Sequence, residues 1–223
     1  MKKQKNYSNE SALSDEFTEK NNILYSKIAK GYDILIKVLP IWNNWNSHAI
    51  PHIEGKRVLE VSFGTGLLLS KYASNYETFG IDYNPKMVEI AKKNIRDKGI
   101  SAQLLQGNVE SLPYNSNSFD TVLNTMAFTG YPDSLKAMSE LNRVLKPGGK
   151  LIMVDINFPK NMNILGMLLT KFWILLGDVI RDMEKVFNHF DLDYTDKEIG
   201  GFGSVHLYIA TKSSKEVITQ QID

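Results

Sequence analysis

Cysteine is absent from this 223-residue sequence. Without it the chain has no disulfide, no thiolate metal ligand and no thiol nucleophile, so three classes of structural and chemical site are excluded. The stretch from Met1 to Asn22 also lacks the apolar segment of a secretion signal. These absences favour a reducing compartment, and we expect a cytoplasmic protein.

An excess of charge of either sign is also missing. The 26 basic and 25 acidic residues leave a net charge of +1. Proteins that hold polyanions carry a basic field, and this composition supplies none in bulk. Nucleic acid is therefore not an expected partner.

The sequence offers no convincing set of metal ligands. His48 and His52 have the spacing of a helical metal pair, but Pro51 breaks that helix. No third ligand and no zinc motif accompany them. We expect no bound metal.

Uninterrupted apolar runs of membrane-spanning length are lacking. The longest run, Ile164 to Ile180, is broken by Lys171 and Asp178, so we predict no transmembrane segment. A helix that is apolar around most of its circumference is buried in a core, paired with another subunit in a homodimer, or lines an apolar pocket. Contact with a membrane surface is a further alternative for this segment.

Strand and helix patterns alternate through most of the chain, and this alternation predicts an α/β fold with a doubly wound, mostly parallel sheet. The length suits one main domain with a single sizeable core. A late pair of alternating segments predicts a closing hairpin, which brings the sheet to seven strands with an antiparallel last strand. The predicted strands cover residues 57–61, 76–83, 102–106, 119–124, 151–156, 193–199 and 205–211.

The flanks of the predicted sheet have their own character. Residues 1–20 are polar and predict a flexible tail, and residues 21–54 predict an N-terminal helical cap. The main domain then covers residues 55–223, with a helical insertion at about 160–190 after the fifth strand.

The chain is organised around the segment from Arg57 to Leu69, in which an apolar strand meets a glycine turn and continues as an apolar helix. Gly64 and Gly66 leave the backbone accessible, and a helix beginning at such a turn presents free N–H groups. This turn predicts a site for a nucleotide-like ligand.

Two further residues narrow the ligand. Asp82 ends the second predicted strand, where a carboxylate can accept hydrogen bonds from both hydroxyls of a ribose. Leu69 occupies the position of the third glycine in the dinucleotide fingerprint, so a nicotinamide or flavin cofactor is disfavoured, and no phosphate-binding Gly-Lys-Ser/Thr loop is present. The combination points to an adenosine cofactor without phosphate, and S-adenosylmethionine is the obvious one.

Four stretches, in this order, resemble the motifs of the class I S-adenosylmethionine-dependent methyltransferases, which have a Rossmann-like fold. They are Val58–Gly66, Gly80–Met87, Gly107–Tyr114 and Arg143–Lys150. Within that superfamily the chain is most similar to the ubiquinone/menaquinone C-methyltransferase-like branch, through Gly31–Asp33, Trp45, Gly200–Gly201 and His206.

The chain departs from the family pattern at two places. Ser62 and Phe63 stand where the family usually has a small residue and glycine, and Ala127 to Tyr131 replaces a stretch that bears Arg and Asn. The first departure should spare cofactor binding. The second concerns specificity for quinone precursors.

The resemblance implies a set of cofactor-binding roles. Glu60, Ser62, Gly64, Thr65 and Gly66 would surround the methionine part of the cofactor. Asp82 would hold the ribose, Tyr83, Met87 and Val109 would flank the adenine, and Asn108 would contact its exocyclic amine. Asn124 and Thr125 would lie beneath the amino acid end, and Tyr25 would close over it from the cap.

Methyl transfer from a sulfonium is an in-line displacement with an activated leaving group, so few acid–base residues are required. The candidates by position are Tyr131, Asp155, His206 and Tyr32, although a packing role suits His206 better. Asp155 would face the acceptor or cap a turn.

The apolar insertion makes a small, apolar acceptor the favoured substrate. A non-catalytic S-adenosylmethionine-binding regulatory protein is the main alternative, and a nucleotide-dependent oxidoreductase is disfavoured by Leu69.

Overall fold

The computed structural model describes residues 40–214. The predicted tail, the first part of the predicted cap, and the candidate residues Tyr25 and Tyr32 lie outside this range.

The described residues form a seven-stranded sheet with the strand order β3-β2-β1-β4-β5-β7-β6. Strands β1 to β5 are parallel, whereas β7 runs antiparallel to both of its neighbours, which confirms the predicted fold class. The chain winds outward from β1 to β3 and then returns to β4, so the topological switch point lies between β1 and β4. The strands are β1 Arg57–Val61, β2 Glu77–Asp82, β3 Gln103–Gln106, β4 Phe119–Thr125, β5 Leu145–Ile156, β6 Leu192–Gly200 and β7 Val205–Lys212.

Helices cover both faces of the sheet, and two apolar clusters fill the space between the layers. The central strands are buried on both faces, which explains their nearly continuous apolar sequence. The α-helices are α1 Pro40–Ser47, α2 Leu69–Tyr72, α3 Pro85–Arg96, α4 Ser134–Val144, α5 Ile164–Leu176 and α6 Met183–His189. Short 3-10 turns occupy Ile50–His52, Ala73–Asn75, Phe128–Gly130 and Gly201–Gly203.

The helical insertion is shorter than its apolar run suggested. Helix α5 ends at Gly177, whose φ of 113° is a left-handed C-cap that favours glycine. A non-helical segment of residues 177–182 follows before α6 begins. Asp178 belongs to this segment and is not part of a helix.

Glu60 lies within β1 and is almost completely buried. Its carboxylate accepts a hydrogen bond of 3.0 Å from the Tyr72 hydroxyl. Burial raises the pKa of Glu60 to about 8; the Tyr72 hydrogen bond opposes this effect and the charge of Asp82 adds to it. Glu60 is therefore largely protonated at neutral pH.

Glu60→Gln should change how stability depends on pH. A raised pKa in the folded state means that the stability present at acidic pH is lost as the pH rises through about 8. Gln keeps the hydrogen bond without acquiring a charge. We expect the variant to gain roughly 4 kcal/mol over the wild type between pH 5 and pH 9, since wild-type stability falls by about 1.4 kcal/mol for each pH unit up to about pH 8; urea unfolding measures the difference. The matched control is Glu89→Gln on the exposed face of α3, and an equal pH dependence in both variants would contradict the assignment.

Helix α1 packs closely against the end of β6. A side chain on Gly200, at the end of β6, would collide with Nε1 of Trp45, and Trp45 itself is 7% exposed. The indole therefore lies close to the Gly200 backbone. This contact holds α1 beside the turn between β6 and β7.

Gly200→Ala should lower the free energy of unfolding by about 1–3 kcal/mol, because the buried indole must move to accommodate the methyl group. Gly130→Ala is the matched control, since an added Cβ there meets nothing within 4 Å. Chemical denaturation measures both variants. Equal stability of the two variants would show that the packing of Trp45 does not require a glycine at position 200.

Candidate functional site

The turn that follows β1 lies at the switch point and has an unusual backbone. Ser62, Gly64 and Gly66 all have positive φ, of 54°, 56° and 73°. A Cβ on Gly64 would meet nothing within 4 Å, so this face of the turn borders open space. A Cβ on Gly66 would come within 3.0 Å of Ala91, so here the glycine allows α3 to pack closely.

Asp82 links this turn to the end of β2. Its Oδ2 accepts a hydrogen bond of 2.8 Å from the Gly64 N–H, and its Oδ1 accepts one of 2.9 Å from the Asn84 N–H. Burial raises the pKa of Asp82, and the N–H groups of Asn84 and Gly64 oppose that effect. Each carboxylate oxygen keeps a second lone pair for a further donor.

A cleft opens beside Asp82 at the carboxyl ends of β2 and β4. The buried side chains of Met87 and Val109 line it, together with the more exposed Tyr83 and Asn108. The Asn108 Oδ1 accepts a hydrogen bond of 2.9 Å from the Glu110 N–H, which fixes the orientation of its amide. The structure thus brings together the residues that the sequence assigned to ribose and adenine.

A second cavity lies on the other side of the turn. Glu60, Thr65 and Thr125 line it, as do Asn43 and Asn46 of α1. The two cavities share Ser62, Gly64 and Met126 as lining residues. The glycine turn therefore lies between two neighbouring cavities. One is lined by the residues expected at the adenosine part of the cofactor, and the other by residues expected at its methionine part.

Ser62, Tyr131 and Asn124 form a hydrogen-bonded group between these compartments. The Tyr131 hydroxyl lies 2.7 Å from the Ser62 Oγ and accepts a hydrogen bond of 2.6 Å from the Asn124 Nδ2. Burial raises the pKa of Tyr131 well above its ordinary value, although the hydrogen bonds to Ser62 and Asn124 oppose this. Tyr131 is therefore a hydrogen-bonding group and not a base at neutral pH.

The structure also clarifies the departure at Ser62 and Phe63. The left-handed conformation that favours glycine falls on Ser62. The Phe63 ring is buried, and it fits because Gly80 has no side chain; a Cβ there would come within 2.7 Å of the ring.

Asp155 lies at the end of β5 and is fully enclosed. Its carboxylate accepts hydrogen bonds from the N–H groups of Phe128, Thr129 and Ile156, at 2.7, 3.2 and 2.8 Å, and from the Thr129 hydroxyl at 3.0 Å. Burial raises the pKa of Asp155 to about 6 against these hydrogen bonds. Its main role is to hold the turn that begins at Phe128.

His206 lies outside the cleft and lines a separate cavity. Its Nδ1 is 2.7 Å from an oxygen of Asp196, and its Nε2 is 3.1 Å from the Phe158 carbonyl oxygen. The ring stacks on Tyr208 at a centroid distance of 5.6 Å. These contacts support the packing role.

Asp178 is a cleft residue that the sequence did not single out. It lines the same cleft as Asp82 and Tyr131, at the side formed by the loop after β4. In the sequence it was visible only as an interruption of an apolar run. The signal that was available is its position directly after a helix-ending glycine.

Helix α5 exposes most of its apolar side chains. Only Gly166 and Thr170 are buried, because Gly166 lies against the Phe202 carbonyl group and the Thr170 hydroxyl donates to the Asn157 carbonyl oxygen at 2.8 Å. A role as a helix wholly buried in the core is thereby excluded. The exposed side chains are Ile164, Leu165, Leu168, Phe172, Ile174, Leu175 and Leu176.

Two classes of feature are absent from residues 40–214. No helix in this range is both long and apolar enough to cross a bilayer. Nor does the same range contain three or more His, Cys, Asp or Glu side chains grouped so that they could hold a metal ion.

Comparisons with known proteins agree with this geometry. Residues 59–153 match the model of a methyltransferase domain family. A solved S-adenosylmethionine-dependent methyltransferase from Methanosarcina mazei shares the fold, with a TM-score of 0.59 and 23% identity over 73% of this chain and 95% of that one.

Curated relatives are similar over the central part of the chain. A demethylmenaquinone methyltransferase of Thermus thermophilus is 32% identical over 144 residues, which are 61% of this chain and 66% of the relative. The ubiquinone/menaquinone biosynthesis C-methyltransferase UbiE of a Shewanella species is 32% identical over 150 residues, 62% of this chain and 59% of the relative. The matched region thus spans slightly less than two thirds of these relatives. The seven-stranded sheet, the glycine turn and Asp82 agree with these comparisons, in which residues 59–153 match a methyltransferase domain and the chain is similar to class I S-adenosylmethionine-dependent methyltransferases of the ubiquinone/menaquinone branch.

Proposed function

We propose that this protein transfers the methyl group of S-adenosylmethionine to a small, apolar acceptor of the hydroquinone type. The observation that carries the proposal is the Asp82 carboxylate, held by the N–H groups of Gly64 and Asn84 at the edge of an open cleft. The names of the two curated relatives supply the acceptor class.

The residues present fit the cofactor. Gly64 borders open space on the side where a ligand would approach the turn. The Asn124 Oδ1 is buried next to the glycine turn and has no hydrogen-bond partner among the described residues, so it can accept from a further donor. The ammonium group of an amino acid would supply such a donor.

When bound, the cofactor supplies a methyl group that is activated by the positive charge on sulfur. The chain itself has to align the acceptor and exclude water. Asp82 and the turn at Ser62 to Gly66 position one reactant. The loop after β4, with Tyr131, and the segment that contains Asp178 border the remaining part of the cleft.

The exposed face of α5 supports a lipophilic acceptor. Leu168, Phe172 and Leu175 expose 51–83% of their surface. Exposed apolar patches of this kind lower solubility unless an apolar molecule or surface contacts them. The segment after α5 leads directly into the cleft at Asp178. A lipid-tailed acceptor would lay its tail along this face. Homodimer formation, contact with a membrane surface and cytoplasmic localisation stay predictions.

Asp82→Ala should weaken S-adenosylmethionine binding about 10- to 100-fold, because hydrogen bonds to a charged group contribute about 1.5–3 kcal/mol. Isothermal titration with S-adenosylmethionine, S-adenosylhomocysteine and NAD measures this and separates a methyltransferase from an oxidoreductase. Asp97→Ala, at the exposed end of α3, is the control. Unchanged affinity in Asp82→Ala would mean that the cleft has been assigned to the wrong ligand.

Transfer itself is tested with labelled S-adenosylmethionine and 1,4-naphthohydroquinone under anaerobic conditions. In parallel, a cell extract is separated into lipid and aqueous fractions. We expect label in the probe and in the lipid fraction. Binding of the cofactor without transfer to the probe or to either fraction would favour the non-catalytic binding protein.

Phe172→Ser should raise the KM for a long-chain hydroquinone several-fold and leave the KM for 1,4-naphthohydroquinone unchanged, because only the tail reaches α5. Leu135→Ser is a matched control, since Leu135 on α4 is 50% exposed and Phe172 is 51% exposed. If both hydroquinones keep their KM in Phe172→Ser, α5 does not contact the acceptor.

A further inference from the structure

We propose that Asp178 is the general base of the reaction, which takes the proton of an acceptor hydroxyl as the methyl group is transferred. This assignment rests on the proposed function and deepens it, because it requires an acceptor with an acidic O–H group. The position of Asp178, its contact with Thr129 and the anchoring of its segment by Arg181 support this role.

Asp178 lies on the wall of the cleft beside the loop after β4, where the Thr129 hydroxyl is 3.0 Å from its carboxylate. Met126, Ala127, Gly130 and Tyr131 of that loop line the same cleft, as do the residues assigned to ribose and adenine. An acceptor placed here would lie between the loop after β4 and the segment after α5. Asp178 and Asp82 are the two aspartates that line this cleft in the described chain, and Asp82 is already engaged by two backbone N–H groups.

Thr129 connects Asp178 to the enclosed Asp155. Its hydroxyl oxygen lies 3.0 Å from an oxygen of Asp155 and 3.0 Å from an oxygen of Asp178. A hydroxyl has a single proton to donate, so it cannot fully satisfy two ionised carboxylates at once. At least one of the two carboxylates can therefore accept a further hydrogen bond. Of the two, Asp178 lines the cleft and Asp155 does not.

The segment that contains Asp178 is anchored to the loop after β4. The Val179 N–H donates to the Thr129 carbonyl oxygen at 2.9 Å. The Arg181 guanidinium donates to the carbonyl oxygens of Phe128 and Thr129, at 2.9 and 3.2 Å, and also to that of Tyr131. These bonds fix the position of a base relative to the cleft, as efficient proton transfer requires.

The surroundings of Asp178 raise its pKa, which favours a role as a base. Partial burial raises the pKa of Asp178, and the Thr129 hydroxyl and the charge of Arg181 oppose that effect. The groups that face it are Thr129 on the loop after β4, Asp155 on β5, and Arg181 on its own segment. A higher pKa makes the Asp178 carboxylate a stronger base.

The proton balance of the step is simple. Asp178 takes the proton of the acceptor hydroxyl, the oxygen electron pair forms a C=O bond, and the adjacent ring carbon forms a bond to the methyl group. The S–CH₃ bond breaks, and its electron pair goes to the neutralised sulfur. Asp178 then returns the proton to the oxygen while the ring hydrogen is lost to water, so one proton is released overall.

The test compares Asp178→Asn with the wild type and with Asp193→Asn, an exposed control on β6. The assay follows labelled methyl transfer to 1,4-naphthohydroquinone between pH 5 and pH 8, and titration gives the affinity for S-adenosylmethionine. We expect kcat to fall about 100-fold or more in Asp178→Asn with the cofactor Kd within about twofold of the wild type. Asp178→Glu should retain more activity than Asp178→Asn.

The pH profile separates a base from a structural residue. Wild-type kcat should fall at acidic pH as Asp178 gains a proton, and Asp178→Asn should lack this limb. Thr129→Val removes a hydrogen bond that lowers the pKa of Asp178, so it should move the limb to higher pH. A purely structural role would change rates without moving the limb.

The outcomes distinguish this assignment from the proposed function. Wild-type kcat in Asp178→Asn, or an acid limb that stays in place in Thr129→Val, would overturn Asp178 as the base and leave methyl transfer intact. A loss of cofactor affinity in Asp178→Asn would assign Asp178 to folding or cofactor binding. Absence of transfer by the wild-type protein would overturn the proposed function and this assignment together.

Discussion

The hydrogen bonds of the Asp82 carboxylate are the constraint on which the rest of the site depends. Asp82 accepts hydrogen bonds from the N–H groups of Gly64 and Asn84. These bonds join the end of β2 to the turn after β1 and to the start of α3. Asn84 in turn caps α3 through the N–H groups of Lys86 and Met87. The cleft beside Asp82 is thus shaped by hydrogen bonds within the chain itself.

Burying acidic side chains at this turn has a free-energy cost. Glu60 and Asp82 are both buried acids close to one turn, and burial raises the pKa of each. Apolar residues would fill the same volume with less desolvation. Glu60 and Asp82 therefore reduce stability at the switch point, and functional sites commonly retain such destabilising residues.

The sequence was sufficient for the sheet and for the strand-end residues that line the cleft beside Asp82, because both have local signatures. The parallel strands are continuous apolar runs, and Asp82 is defined by the end of one of them. The wall of the cleft that contains Asp178 was not predictable. Thr129, Asp178 and Arg181 come together through backbone carbonyl groups about 50 positions away, and no local pattern encodes such contacts. No local sequence pattern predicts the positive φ of Ser62 either, since the hydrogen-bond partner of Ser62, Tyr131, is 69 residues away.

Helix α5 was ambiguous in the sequence because it is apolar on every side, and the structure shows that its two small or polar inward residues mark the contact face. This orientation has an energetic consequence. Most of its large apolar side chains face outward, and the helix is held through a narrow strip that includes the partly buried Trp173, the close approach of Gly166 and the hydrogen bond of Thr170. The outward side chains gain no burial from the fold, so an apolar molecule that covers them would add hydrophobic stabilisation that the chain itself does not supply.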